Sequence, residues 1–256
     1  MTEHVKTEIS DGVLTLTLQR PEKKNALTGA MYNALSDALN QAKVDPSVRV
    51  ILFQGDGDSF TAGNDLADFA SQARGESAVD SPAHHFIQTI SEVDKPIIAA
   101  VQGNAVGIGT TMLLHCDLVY LAENARLMTP FANLALVPEA ASSWLLPLRI
   151  GHVRAYAMFA LGEPMEASAA VACGLGNAVV PQAELRKKAH DAAITLTKRP
   201  AGALKSTKKL MRDHERIEAQ ISEESQLFKQ RLMTPEAREA FTAFAERRPP
   251  DFSKVA

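Results

Sequence analysis

The chain has little cysteine and little excess charge. Its 256 residues include two cysteines, Cys116 and Cys173, both among apolar neighbours. Two isolated cysteines exclude a disulfide framework and lack the paired spacing of a zinc site, so we expect reduced core residues of a cytoplasmic protein. The formal net charge is -3, which gives no electrostatic reason for nucleic acid to be a partner.

Long apolar runs are also absent from the sequence. No stretch reaches the roughly 18 apolar residues of a membrane-spanning helix, and the first residues, MTEHVKTEIS, lack the basic-then-apolar pattern of a signal peptide. We therefore expect no membrane partner. Hydrophobic residues make up 46% of the chain and charged residues 22%, proportions that are typical of a globular protein.

Patterns typical of strands and helices alternate up to about residue 180. Asp11-Gly12 joins two alternating segments and indicates a hairpin, and Thr28 is a candidate helix cap. We interpret the polar segment Ala70–Val79 as a loop. The predicted strands are Val5–Ile9, Val13–Leu18, Val48–Gln54, Ile97–Val101 and Asp117–Ala122.

Beyond Pro181 the sequence becomes charged and helical in pattern, over Gln182–Arg199, Ala203–Arg231 and Pro235–Arg248. The apolar stripes of these segments are narrow, which suits helices that pack on another subunit. The predicted fold class is α/β. We expect a core over 1–195 and a C-terminal helical oligomerisation region over 196–256.

Glu139 is the single acidic residue between Leu127 and Ile150, and its flanks are apolar. A buried carboxylate costs several kcal/mol unless it is paired or protonated. An isolated acid with a raised pKa is a common form of general base. The alternative is that Pro138-Glu139 opens a helix, since proline fits the first turn and an acid favours the helix dipole.

Two glycine-containing loops each follow a predicted strand. They are FTAGNDL at 60–66 and GNAVGIG at 103–109. Small residues allow a ligand to approach backbone N–H groups, and two such groups on one oxygen form an oxyanion hole. A dinucleotide site is the weaker alternative, because its G-x-G-x-x-G follows the first strand.

The segment TPFANLALVPEAASSWLLP (129–147) is similar to the corresponding part of the peroxisomal-type Δ3,Δ2-enoyl-CoA isomerases. Those isomerases belong to the enoyl-CoA hydratase/isomerase, or crotonase, superfamily, which five segments together resemble. These segments are RPEKKNALT (20–28), FTAGNDL (60–66), KPIIAAVQGNAVGIG (95–109), HCDLVYLAENARLMTPF (115–131) and AFTAFAERRPPDF (240–252). The resemblance implies a spiral of ββα units with a C-terminal helical trimerisation region, assembled as a homotrimer or hexamer. It also implies an acyl-CoA thioester substrate of fatty acid metabolism. Coenzyme A is then part of the substrate, and no separate cofactor or metal is expected.

The same resemblance assigns roles to individual residues. The N–H groups of Ala62 and Ile108 would form the oxyanion hole. Arg247 would reach the CoA phosphates of a neighbouring subunit, or would be a solvated charge. The remaining residues expected to contact CoA are Lys24, Ala26, Leu27, Ala62, Gly63, Asn64, Asp65 and Leu66.

The predicted reaction rests on two positions at which this sequence differs from the hydratases. Hydratases hold a water molecule between two glutamates. The corresponding positions here are Thr111 and Phe131, and neither side chain can deprotonate water. The resemblance to the isomerases makes Glu139 the single base for moving a Δ3 double bond to Δ2. Two alternatives remain open: a ring isomerase of aromatic acyl-CoA degradation, and an acyl-CoA-binding protein without catalysis.

Three further predictions concern side chains around this site. Phe131, Leu134, Leu136 and Trp144 would form a dry apolar wall beside Glu139. His84-His85 is interpreted as a solvated pair rather than a metal site, because no second ligand pair has a suitable spacing. Asp117 is interpreted as structural.

Overall fold

The computed structural model describes residues 2–65 and 81–255. Leu66 and the predicted loop Ala70–Val79 lie outside the described residues. The main sheet has six strands in the order β1-β2-β3-β4-β6-β9, of which β1 and β2 are antiparallel and the others parallel. These strands are β1 (Val5–Ser10), β2 (Val13–Leu18), β3 (Val50–Gly55), β4 (Ile97–Val101), β6 (Leu118–Ala122) and β9 (Ala178–Val180).

The second sheet is smaller and has the order β5-β7-β8. Its strands are β5 (Asn104–Val106), β7 (Arg126–Met128) and β8 (Met165–Glu166). Because β3 and β4 are parallel neighbours, their carboxyl ends lie at one edge of the main sheet, and both predicted glycine loops start there. This edge is where ligands bind in open parallel sheets.

Ten helices occur in the described ranges. They are α1 (Gly29–Val44), α2 (Pro82–Ser91), α3 (Ile108–Thr111), α4 (Ser142–Ile150), α5 (His152–Tyr156), α6 (Ala167–Ala172), α7 (Gln182–Thr197), α8 (Ala201–Leu210), α9 (His214–Leu232) and α10 (Pro235–Ala245). The predicted cap of α1 is confirmed, since the Thr28 hydroxyl accepts a hydrogen bond from the Met31 N–H at 3.4 Å. The predicted hairpin at Asp11-Gly12 is confirmed as well.

Both faces of the main sheet are covered, as expected for a largely parallel sheet. Val50 and Leu52 of β3 belong to an apolar cluster that includes Leu185 and Ala189 of α7. The alternate residues of β3, Ile51 and Phe53, belong to the larger core on the opposite face. The predicted α/β class is therefore confirmed.

The C-terminal region differs from its prediction in two respects. Ala203–Arg231 is not one helix, because α8 ends at Leu210 and Asp213 caps a new helix by accepting the Arg216 N–H at 3.0 Å. Ile217 and Ile221 of α9 are buried in the main core of the same chain. Their stripe is thus covered within the chain, and oligomerisation stays a prediction.

Neither cysteine is in a disulfide; Cys116 is buried and Cys173 half-buried. Within residues 2–65 and 81–255, no helix combines the length and apolar character required to cross a bilayer.

Candidate active site

The two glycine loops contact each other at the carboxyl edge of the main sheet. The Thr61 N–H donates to the Asn104 carbonyl at 3.1 Å, and the Val106 N–H donates to the Thr61 carbonyl at 3.0 Å. Gly63 has a φ of 86°, and a Cβ at this position would lie 2.7 Å from the Val106 carbonyl oxygen. Glycine is therefore required for the loops to approach this closely.

The pair of free N–H groups differs from the predicted pair. Ile108 is the first residue of α3 and follows Gly107, whose φ is 56°; in the described ranges its N–H donates no hydrogen bond. Ala62 was predicted as the second donor, but its N–H already donates to the Lys24 carbonyl at 2.8 Å. That prediction is wrong. The Asn64 N–H is unengaged within the same described ranges.

Hydrogen bonds hold the backbone immediately before and after Asn64. The Leu27 N–H donates to the Gly63 carbonyl at 2.8 Å, and the Asp65 N–H donates to the Leu27 carbonyl at 2.9 Å. The hydroxyl of Tyr32 donates to the Asn64 side-chain oxygen. The backbone of Asn64 is thereby fixed with its own N–H left for another acceptor.

Asn25 fixes the segment that precedes α1, and it was not among the predicted site residues. Its side-chain amide donates to the carbonyls of Asp56 at 2.8 Å and Ser59 at 2.9 Å, while its oxygen accepts the Arg20 N–H at 2.8 Å. Asn25 is fully buried with a φ of 54°, a conformation that asparagine tolerates better than most residues. In the sequence, the asparagine of RPEKKNALT (20–28) was the one available signal of this role.

A cleft of about 860 Å³ opens over these loops. Five residues predicted to contact CoA line it: Ala26, Ala62, Gly63, Asn64 and Asp65. Arg20 and Lys23 add positive charge to the lining, and Arg20 forms an ion pair with Asp65 at 2.7 Å.

Other predicted CoA contacts are placed elsewhere. Lys24 is exposed and not part of the lining, where Lys23 stands instead. Leu27 is only 1% exposed, so its side chain belongs to the core. Arg247 is exposed after the end of α10 and does not line the cleft of its own chain. Leu66 lies outside the described residues.

Three of the four side chains predicted for the apolar wall line the cleft. Phe131, Leu134 and Leu136 line the cleft, together with Phe228 and Phe244 from the C-terminal helices. Trp144, the fourth residue of the predicted wall, does not line the cleft. It packs against the main core from α4, with the Arg216 guanidinium 5.8 Å from its ring centroid.

Glu139 precedes α4 rather than opening it. Ala140 and Ala141 adopt positive φ values of 63° and 55°, and the helix begins at Ser142. The alternative of a helix-opening charge is therefore wrong. Two successive alanines in the left-handed region are strained, so the turn must be held by its surroundings.

One oxygen of the Glu139 carboxyl group is isolated from water and from partners among the described residues. The residue is 9% exposed, and its Oε1 has no hydrogen-bond partner in the described part of the chain. Burial, which is the larger effect, and the nearby charge of Glu224 together raise the pKa of Glu139 to about 8. Glu139 is not among the residues that line the cleft.

Three hydroxyl groups share this isolation. The side-chain oxygens of Thr111, Thr129 and Ser142 are buried without partners among the described residues. Thr111 and Phe131, the positions expected from the resemblance to match the two hydratase glutamates, are both buried, Phe131 at 6% exposure. No carboxylate therefore stands at either position.

Two buried residues far away in sequence hold the Glu139 turn, and no sequence signal identified them. His115 Nε2 lies 2.9 Å from the Ala140 carbonyl, and Glu224 of α9 accepts the Ala141 N–H at 2.6 Å. Burial lowers the pKa of His115 to about 3, and the charge of Arg212 acts in the same direction. His115 is accordingly neutral and donates through Nε2.

The structural interpretation of Asp117 agrees with the geometry. The interpretation of His84-His85 as a solvated pair holds for His85, which is exposed, but not for His84, which is half-buried. Asp117 accepts the Ile97 N–H at 2.8 Å and the Lys208 ammonium at 2.7 Å. His84 Nδ1 is 2.9 Å from the Ser225 hydroxyl. No cluster of metal-ligating side chains occurs in residues 2–65 and 81–255.

Comparisons with known proteins agree along nearly the whole chain. The profile of the family described as Enoyl-CoA hydratase/isomerase matches residues 8–255. Enoyl-CoA delta isomerase 2 of Rattus norvegicus is 34% identical over 244 residues, which are 93% of this chain. The chain spans only 62% of that relative's length.

Other relatives are matched over their full length. A "Probable enoyl-CoA hydratase" of Rhodobacter capsulatus is 32% identical over 97% of both chains. The 1,2-epoxyphenylacetyl-CoA isomerase of Escherichia coli K12 is 30% identical over 99% of both. A crystal structure of an enoyl-CoA hydratase/isomerase from Pseudoalteromonas atlantica T6c superposes with a TM-score of 0.92 at 38% identity, covering 98% of this chain and 100% of that one.

Proposed function

The chain belongs to the enoyl-CoA hydratase/isomerase family, and from that membership we propose that it converts 3-enoyl-CoA thioesters into 2-enoyl-CoA thioesters. The family acts on acyl-CoA thioesters, so coenzyme A enters as part of the substrate. The observation that carries the proposal is Glu139. It is a buried carboxyl group with an unpartnered oxygen and a pKa of about 8.

The isomerisation requires two proton transfers and one group able to carry both. The Glu139 carboxylate removes a proton from C2, and the electron pair of that C–H bond moves into a dienolate whose charge lies on the thioester oxygen. The protonated Glu139 then delivers the same proton to C4, leaving the double bond between C2 and C3. A base with a pKa near the working pH is suited to both steps, and a positioned base contributes roughly 10²–10⁴-fold.

The dienolate oxygen needs hydrogen-bond donors that are already in place. The unengaged N–H groups of Asn64 and Ile108, on the two loops that contact each other, are our proposed donors. Each such donor typically contributes about 2.7–4 kcal/mol of barrier lowering. The proposed oxyanion donors are therefore the N–H groups of Asn64, in place of the predicted Ala62, and of Ile108, as predicted.

Hydration is the less suitable reaction for this set of residues. Thr111 and Phe131 provide no carboxylate to hold or deprotonate a water molecule, and the Phe131 ring contributes to an apolar wall. A lone base in apolar surroundings favours proton shuttling over addition of water.

One observation favours a second candidate, the isomerisation of a ring-containing acyl-CoA. The unpartnered hydroxyls of Thr111, Thr129 and Ser142 could donate hydrogen bonds to an oxygen atom of the acyl group, such as that of an epoxide. A 1,2-epoxyphenylacetyl-CoA isomerase is among the relatives. The base and the oxyanion donors would be the same for both substrates.

Glu139→Gln tests the proposal, because glutamine fills the same volume and cannot carry the proton. With a linear 3-enoyl-CoA we expect kcat to fall by at least about 10²-fold, measured by formation of the conjugated thioester. KM should change little. Glu163→Gln, at an exposed residue, is the matched control and should retain activity.

Parallel assays separate the candidates. Turnover of a 1,2-epoxide of phenylacetyl-CoA but not of 3-enoyl-CoA would favour the ring isomerase. Conversion of 2-enoyl-CoA to a 3-hydroxyacyl-CoA at a comparable rate would favour a hydratase. Calorimetric binding of an acyl-CoA without turnover of any of these thioesters would identify a binding protein.

We also propose that the chain assembles as a homotrimer or hexamer. Arg247 is exposed after the last long helix and is free to meet CoA held by a neighbouring subunit. Sedimentation analysis with and without an acyl-CoA tests the assembly.

A further inference from the structure

We propose that Glu224 is a positioning residue for the reaction, holding the turn that carries Glu139 by accepting the N–H groups of Ala141 and Ser143. The proposal rests on the proposed function in one respect, namely that Glu139 is the proton carrier. The hydrogen-bond geometry itself does not depend on the substrate.

The contacts made by Glu224 use both oxygens of its carboxylate. Oε2 accepts the Ala141 N–H at 2.6 Å, and Oε1 accepts the Ser143 N–H at 2.8 Å together with the Ser143 hydroxyl. Gln220, one turn earlier on α9, donates to the same hydroxyl at 3.1 Å. Glu224 is 4% exposed, so water cannot readily replace it.

Helix α4 depends on this carboxylate because its own N-terminus supplies no cap. Ala141 occupies the cap position and has no side-chain acceptor. The Ser142 and Trp144 N–H groups donate to the Glu139 and Ala141 carbonyls, both at 3.1 Å, so the Ser143 N–H is the one that Glu224 satisfies. A carboxylate at this end also favours the helix dipole. Glu224 thus replaces the usual local cap from a helix more than 80 residues away in sequence.

The strain in the turn makes an external support necessary. Ala140 and Ala141 both have positive φ values, and an unsupported alanine pair would relax toward right-handed backbone. His115 holds the Ala140 carbonyl from one side and Glu224 holds the Ala141 N–H from the other. Relaxation of these two residues would rotate Glu139 away from its present position.

Charge provides a second connection between the two glutamates. Among the described residues, Glu224 is the charged group that raises the pKa of Glu139 beyond the effect of burial. His115 is neutral, with a pKa of about 3, and Arg212 bonds to His115 Nδ1 at 2.9 Å, on the ring edge away from the turn. Arg216 donates to the Gln220 side-chain oxygen at 2.9 Å.

Glu224→Gln in the full-length chain tests the proposal, since an amide can accept through one atom only and has no charge. We expect kcat on 3-enoyl-CoA to fall by roughly 10²-fold, as for a misplaced reacting group, with KM within about threefold. The midpoint of the pH–kcat/KM profile should shift to lower pH, because a like charge has been removed. Glu223→Gln, an exposed neighbour on α9, should change neither quantity.

Hydrogen exchange followed by mass spectrometry gives a readout that does not need turnover. The peptide covering 139–150 should exchange faster in Glu224→Gln than in the wild type, while the peptide covering β3 stays unchanged. If Glu224→Gln does not fold, Ser143→Ala keeps both backbone bonds and removes one donor, and a smaller shift of the same kind is expected.

The outcomes separate this inference from the proposed function. A wild type that does not turn over 3-enoyl-CoA contradicts the proposed function, and the exchange data then decide the positioning role alone. Unchanged exchange over 139–150 in a folded Glu224→Gln protein overturns the inference. So does a variant with wild-type kcat and an unshifted pH midpoint.

Discussion

At Glu139, the burial that isolates the carboxyl group also determines the pH at which it can act as a base. Its pKa is about 8, raised first by desolvation and then by Glu224. Below that pH the carboxyl group is already protonated in most of the free enzyme, so it cannot accept a proton from C2 of the substrate. Burying the neutral carboxylic acid with an unpartnered oxygen also costs less free energy than burying the carboxylate.

The pH dependence of catalysis follows from this pKa. We expect kcat/KM for 3-enoyl-CoA to rise with pH, with a midpoint near 8, and to level off above it, because the ionised form of Glu139 is the base. Initial rates at subsaturating substrate across the range test this expectation. A profile that is flat from about pH 6 to 9 would be inconsistent with Glu139 as the titrating base.

The oxyanion arrangement belongs to the scale of elements, because it requires two loops to approach at the carboxyl ends of β3 and β4. Gly63→Ala would place a Cβ 2.7 Å from the Val106 carbonyl oxygen at a φ of 86°, and the loops would have to separate. We expect kcat to fall by about 10²–10³-fold, the usual effect of losing one oxyanion donor.

A matched glycine provides the control for that prediction. Gly202 lies in α8, where an added Cβ would meet no atom of the described residues within 4 Å. Gly202→Ala should leave kcat unchanged and stabilise the protein by roughly 0.5–1 kcal/mol, because alanine is the better helix former. Thermal unfolding of both variants and steady-state kinetics give the comparison. Equal loss of kcat in the two variants would argue against a specific role for the loop contact.

The elements that were predicted well carry strong local signals. The hairpin at Asp11-Gly12, the cap at Thr28 and the strand Ile97–Val101 follow from turn chemistry and apolar runs. The position of Glu139 before a helix could not be predicted in detail. Pro138-Glu139 is a good helix start by local rules, whereas the real start at Ser142 depends on Glu224, which is distant in sequence.

The identity of the oxyanion donor also depends on a contact between segments that are distant in sequence. The loop FTAGNDL indicates that some N–H group is presented, and a shift of two residues separates Ala62 from Asn64. Which N–H is free depends on the Lys24 carbonyl, which accepts from Ala62 at 2.8 Å. That contact joins two segments whose register the sequence alone does not determine.

At the scale of the whole molecule, the C-terminal helices belong to the site. Phe228 of α9 and Phe244 of α10 line the cleft, Glu224 of α9 contacts the Glu139 turn, and Ile217 and Ile221 are part of the main core. The region from 196 onward therefore contributes to the candidate site of its own chain. A truncation before α9 should abolish activity and destabilise the core together.

Stability and catalysis are linked through the proton on Glu139, and this linkage predicts how stability depends on pH. The unfolded carboxyl group ionises near its ordinary value of 4.5, whereas the folded one keeps its proton up to about 8. Between these values the folded state binds more protons than the unfolded state, so this contribution to stability is complete below 4.5 and is lost as pH rises toward 8. Glu139→Gln has no such proton. Relative to it, the wild type should lose a few kcal/mol of unfolding free energy across this window.

Urea unfolding at several pH values across and just above this window measures the difference in unfolding free energy between the wild type and Glu139→Gln. Both proteins are studied at one fixed concentration, because oligomerisation would otherwise shift the midpoints. The difference should grow with pH and become constant above about 8, since both states of the wild type are then ionised. Glu163→Gln, at an exposed position, should follow the wild type throughout. If the wild-type and Glu139→Gln curves instead ran parallel across the range, the carboxyl group would not hold its proton in the folded state, and its role as an acid that returns a proton to C4 would have no physical basis.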